Sequence, residues 1–241
     1  MNQSFRITCR SRFWAQGCSG FNAGSALAAN GIAANAFVVT NTSAAIATIT
    51  WVFIEWLHRG KPTMLGAATG CIAGLGAITP ASGFVSPASA LLIGLVASLI
   101  CYYAVSVVKT RFGYDDSLDV FGVHGLGGTW GVISVGLFAS KLINPAGANG
   151  LFYGNAGQLW TQCLGALVTV VFVAVSSFAI IKVVGMFVRL RVSDQDEELG
   201  LDFSLHGENG YADLAVGETV TYGLPLNISE GSVSSLKEVA D

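Results

Sequence analysis

Three stretches of this 241-residue chain contain no Asp, Glu, Lys or Arg: residues 14–54, 63–108 and 142–181. A helix needs about 20 apolar residues to cross the ~30 Å hydrocarbon core of a bilayer, so each stretch holds enough chain for more than one crossing. Only 11% of all residues are charged and 52% are hydrophobic, and the mean hydropathy is +0.61. Globular domains average about 25% charged residues, and half that fraction leaves too few polar groups to cover a water-facing surface. A transmembrane barrel would alternate apolar and polar residues over segments of about ten, whereas these runs are continuous. The fold class is therefore all-α integral membrane.

Charged clusters, prolines and polar loops divide the runs into segments near 14–28, 31–57, 63–81, 87–109, 119–140 and 158–189, about six transmembrane helices. The first is short and the last long enough to tilt. If each crosses once, Arg59 and Lys61, Lys109 and Arg111, and Arg189 and Arg191 fall on one side, and the opposite loops hold Lys141. The positive-inside bias makes the first side cytoplasmic and sends the C-terminal tail there too. The expected location is the cell membrane, multi-pass.

From Val192 onward the charge balance reverses. That tail has a net charge of −10 by count, against +7 before it, which together give the formal −3. Acidic tails of this kind are usually solvated. Its proximal part, "GLDFSLHGENGYAD", keeps apolar and aromatic residues and is the part expected to be ordered. The division is thus a leader at 1–19, a transmembrane domain at 20–191 and a tail at 192–241. Five scattered cysteines without a C-x-x-C pair argue for neither a disulfide framework nor a metal site, and no cofactor or nucleic-acid partner is expected.

Thirty glycines are many for a helical chain. In a bilayer, small residues four apart let helix backbones approach closely, as at Gly66, Gly70 and Gly74 or at Gly127 and Gly131. "GLGGTWG" is not a phosphate loop, because the Lys-Ser/Thr ending and a preceding strand are missing. Of His58, His124 and His206, His124 falls well inside a span. A polar side chain at that depth normally faces a bundle interior, a partner or a cavity. On a regular helix Gly127, Gly128 and Gly131 share its face and leave bare space beside the ring. That space suits a packed neighbour or a narrow passage, and the local pattern does not choose. An enzyme is not expected: no second histidine, paired Asp or Ser/Lys dyad accompanies it.

Four stretches, "GFNAGSA" (20–26), "EWLHRGKPTMLGAATGCIAGLGAITPASGF" (55–84), "DDSLDVFGVHGLGGTWG" (115–131) and "GLDFSLHGENGYAD" (200–213), occur in this order and spacing, and they resemble the ammonium transporter family. The resemblance implies a homotrimer of eleven-helix subunits, each built from two inverted halves around its own pore. This chain resembles the second part, from within the sixth helix to the eleventh and the tail. Residues 1–19 do not resemble it, so a truncated or misread product is expected. By resemblance His124 is the second of two pore histidines, Phe21 one of two gate phenylalanines, and Ser25 the serine that helps hold the external cation. Asp119 has a structural or coupling role. Gly200, Asp202, His206, Gly207, Glu208 and Tyr211 match a cytoplasmic tail motif near the docking site of a PII-type nitrogen signal protein. The first pore histidine, the other gate phenylalanine, the external acid and the external tryptophan have no counterpart here. The implied function is passage of ammonium or ammonia through a histidine-lined apolar pore. Alternatives are a non-conducting or regulatory fragment, or a Rhesus-type channel.

Overall fold

The structure, a computed structural model, describes residues 16–208, all of whose regular elements are helical. Six apolar helices follow one another: α1 (16–24), α2 (Gly31–Arg59), α3 (Met64–Ile78), α4 (Pro87–Phe112), α5 (Phe121–Phe138) and α6 (Ala156–Gly185). Two short helices follow, α7 (Asp194–Leu199) and α8 (Leu201–His206). By length and composition α2, α4, α5 and α6 are each long enough to cross a membrane. The 15 residues of α3 rise about 22 Å, short of a full crossing. α1 is shorter than the expected 14–28, because the chain turns at Ser25 and Ala26.

Local chemistry explains the boundaries. Asn30 caps α2, its side-chain oxygen accepting from the N–H groups of Ile32 and Ala33, and Gly60 ends the helix at φ 75°. Ser86 caps α4 through Ser89 N, with Pro87 in the first turn. Between α2 and α3, Glu55 is 3% exposed. Its carboxylate accepts from the N–H and the hydroxyl of Thr63, each at 3.0 Å, and Thr63 in turn caps α3 at Gly66 N.

The chain divides into two compact units, Met1–Ser176 and Ser177–Asp241. In the first, α3 lies against α2 along a track of glycines. A Cβ on Gly66 would strike the Glu55 carboxylate, one on Gly70 would sit 2.5 Å from Trp51 Cβ, and one on Gly74 2.5 Å from the Ser43 carbonyl. The four-residue spacing of these glycines is thus the α2–α3 contact, with little driving force other than van der Waals packing and hydrogen bonds. Ser43 adds one such bond, its hydroxyl donating to the Gly74 carbonyl at 2.9 Å. Two apolar clusters fill the bundle. One is centred on Val39, Ile78, Val85 and Ile93, with Trp130 against it; the other holds Trp51, Cys101, Tyr102 and Val123.

The regular-helix reading around His124 does not hold. Phe121–Gly125 is wound as a π-helix, as is Ala104–Val108 within α4. A π-turn takes in about one residue more than an α-turn, so the angular offsets from His124 shift. The glycines of α5 do not line an empty strip beside the imidazole. A Cβ on Gly127 would meet Cys101 Sγ at 3.1 Å, and one on Gly131 would strike the Ala77 carbonyl, whereas Gly128 faces open space. Gly127 and Gly131 serve close packing on α4 and α3.

In the second unit the chain leaves α6, Ser193 caps α7 through Asp196 N, and α8 follows. Gly200, at φ 87°, turns the chain between α7 and α8, and Gly207, at φ 64°, ends α8. Both positions lie in the left-handed region that glycine occupies without steric cost.

Candidate substrate pathway

A cleft of about 310 Å³ opens where α1 ends, α2 begins and the α3–α4 turn folds back. Asn22 lines it from α1 and Ser25 from the turn that follows, Ile32 and Ala36 from α2, Thr79 to Phe84 from the α3–α4 turn (except Ala81), and Asn144 from the loop after α5. It lies at the end of α2 opposite Arg59, about 40 Å away along a 29-residue helix. Its polar groups are oriented by bonds to the bundle. Asn22 donates to Thr40 Oγ1 at 3.0 Å and reaches Thr79 Oγ1 at 3.5 Å. Thr79 donates to the Leu75 carbonyl at 2.7 Å, and Ser25 to the Phe21 carbonyl at 2.9 Å. Each donor is thus used inward, and the hydroxyl oxygens and the Asn22 amide oxygen retain acceptor capacity, the set a small cation needs.

Phe21 and Ser25 sit one helical turn apart, and Phe21 is 72% exposed. His124 is exposed as well, and no hydrogen bond to its side chain is found among the described residues. Its nearest approach to α3 is at Gly76, where a Cβ would lie 3.9 Å from His124 Nδ1. Gly76 and Thr79 are three residues apart, about 4.5 Å of helix rise, so one turn of α3 joins the histidine to the cleft. Beneath the histidine the Cys101 thiol donates to the Val123 carbonyl at 3.7 Å.

Asp119 lies elsewhere, at the start of α5 toward the Arg59 end of the bundle. Its φ is 55°, and its Oδ1 is 2.6 Å from Lys109 Nζ. Gly200, Asp202, His206, Gly207 and Glu208 form a compact group within the second unit. The Asp202 carbonyl accepts from Glu208 N at 3.0 Å, and the Phe203 carbonyl from Gly207 N at 3.1 Å. Tyr211 lies outside the described residues. Sequence reasoning singled out Ser25 but passed over Asn22, Thr79, Asn144 and Gly76. Asn22 had a signal, an amide inside an apolar motif; Thr79 and Asn144 join the cleft through long-range folding.

These features define a multi-pass helical membrane protein with a small polar cleft leading onto an apolar, histidine-bearing helix. The family model of the Ammonium Transporter Family matches residues 13–211, and the chain belongs to that family. It is 51% identical over 197 residues to an ammonium transporter of Bacillus subtilis (strain 168), covering 82% of this chain and 49% of the relative. It is 48% identical over 195 residues to an ammonium transporter of Aquifex aeolicus (strain VF5), covering 81% of this chain and 45% of the relative. The crystal structure of Candida albicans Mep2 superposes with a TM-score of 0.75 at 30% identity, covering 92% of this chain and 50% of that one. The chain spans about half the length of the curated relatives it matches.

Proposed function

We propose that this chain forms one wall of a pathway for ammonium, taken up as a cation in the cleft and passed as ammonia along the apolar helices beside His124. The observation that carries this reading is the single turn of α3 that links the cleft at Thr79 to the imidazole at Gly76. A charge at the bilayer centre costs at least about 2.5–3.5 kcal/mol even on the most permissive scales. A route in which ammonium gives its proton to water at the open cleft and carries on as the neutral molecule avoids that barrier. Amide and hydroxyl oxygens at Asn22, Ser25 and Thr79 replace part of the cation's hydration. Phe21 adds an aromatic face, the group type that attracts cations. An imidazole then offers ammonia one donor and one acceptor nitrogen. In this reading the cleft end faces outward and the tail lies in the cytoplasm, an orientation the distribution of Arg and Lys supports. Assembly as a homotrimer and contact of the tail with a PII-type signal protein belong to the same reading.

The decisive experiment is uptake of labelled methylammonium by transporter-deficient cells. The chain is expressed with and without a polypeptide carrying the first half of a full-length relative. Uptake is expected in the pair, with a fall of an order of magnitude or more for His124→Ala. Uptake by the chain without that second polypeptide would overturn the one-wall reading. A second reading, a non-conducting subunit acting through its tail, draws on the same half-length match. Co-purification with a full-length transporter, without gain of uptake, is the result that favours it.

A further inference from the structure

The two π-turns lie against each other. A Cβ on Gly122, in the second, would come within 2.9 Å of Val105 Cγ2 in the first. Lys109 directly follows the first π-turn, its N–H bonding to the Ala104 carbonyl five residues back. Its ammonium then crosses the hairpin, donating to Asp119 Oδ1 at 2.6 Å and to the Asp116 carbonyl at 2.5 Å. The two Asp116 carboxylate oxygens accept from Val120 N and Phe121 N at 2.8 and 2.9 Å, opening the second π-turn. Asp119 itself holds φ 55°, a conformation that a residue with a Cβ keeps only where its surroundings fix it. Midway along α5, Trp130 Nε1 donates to the Ile93 carbonyl of α4 at 3.0 Å.

α5 is therefore tied to α4 on both sides of His124, by Asp119 just before the helix and by Trp130 at its middle. When a segment is held before and after, an additional residue within it must be absorbed by a wider turn, and that turn sets the direction of the side chains it carries. We propose that Lys109 is a positioning residue for His124: by gripping Asp119 and the Asp116 carbonyl it holds the π-turn of α5 and so aims the imidazole. The functional value of that aim rests on the pathway reading above; the positioning itself does not.

The test is site-resolved labelling of histidines by diethyl pyrocarbonate in the full chain in detergent, read by mass spectrometry with His206 as internal reference. For Lys109→Met the His124 rate is expected to change about two- to fivefold, the range that a partly exposed ion pair carries in free energy. His206 is expected to stay at its original rate. Lys109→Arg keeps the grip and the wild-type rate, and the swapped pair Lys109→Asp with Asp119→Lys moves the rate back toward it. If Lys109→Met does not fold, Asp119→Asn, which keeps the shape and removes the charge, carries the same expectation. An unchanged His124 rate in the variant that folds overturns the proposal, as does a parallel change at His206, which signals general loosening. Because uptake is not the readout, failure of the pathway reading appears separately, as absent methylammonium uptake with the labelling pattern intact.

Discussion

α3 and α6 are both apolar helices, yet they are built on opposite terms. The 15 residues of α3 include Gly66, Gly70 and Gly74, each pressed on α2 so closely that a methyl group would collide. The 30 residues of α6 hold no buried residue, and a Cβ on its central Gly165 would meet nothing within 4 Å. Hydropathy marks both as membrane material and cannot tell them apart, because lipid tails are as apolar as leucine. What separates them is side-chain size at the contact and the polar atoms placed there. Apolarity selects the solvent; small residues and hydrogen bonds select the neighbour.

That contrast can be broken by substitution. The largest effect is expected for Gly74→Leu, where the new side chain has backbone in its way. Overpacking of this kind costs about 1–3 kcal/mol or more, and thermal unfolding in detergent should show it as a clear fall in midpoint. Next comes Asn30→Ala, which strips the cap of α2 at a cost of about 1 kcal/mol, measurable in the same assay. Trp130→Phe keeps the ring against the Val39 and Ile78 cluster and deletes the indole donor to Ile93, worth about 0.5–1.5 kcal/mol. The smallest effect is expected for Gly165→Leu on α6, within about 0.5 kcal/mol of wild type. A loss at Gly165 equal to that at Gly74 would show that α6 is seated as tightly as α3, and the distinction would fall.

The helix succession was legible in the sequence because charge-free runs and caps are local signals. Asn30, Ser86 and Pro87 announce their helix starts, and the ends of α2 and α4 fall within a few residues of the expected ones. The place of His124 on an apolar helix, near the start of α5, was legible for the same reason. Its surroundings were not. A π-turn differs from an α-turn by a single residue, and no composition marks Phe121–Gly125 as wider than its continuation. The glycines of α5 were correctly taken as close-approach sites, but the assumed 3.6-residue period set Gly127 and Gly131 beside bare space on the face of His124, where the structure packs them on Cys101 and Ala77. The cleft was half legible: Ser25 and Phe21 stand in a recognisable motif, whereas Thr79 and Asn144 reach it across 54 and 119 residues of chain from Ser25. Lys109 was counted as a topological charge, and its grip on Asp119 became visible only when the hairpin was closed.

The buried Glu55 carries a consequence for how the chain enters its membrane. Its carboxylate is satisfied by Thr63 at the head of α3 and fits because Gly66 has no side chain. Were α2 inserted and α3 delayed, that carboxylate would lose both Thr63 donors and keep only the exposed Arg59 of its own helix, 4.0 Å away, and an under-bonded buried charge is unfavourable. α3, too short to cross unaided, meets the complementary difficulty. The cheaper route for both is entry as a single hairpin, with the Glu55–Thr63 contact closed before the pair leaves the insertion machinery.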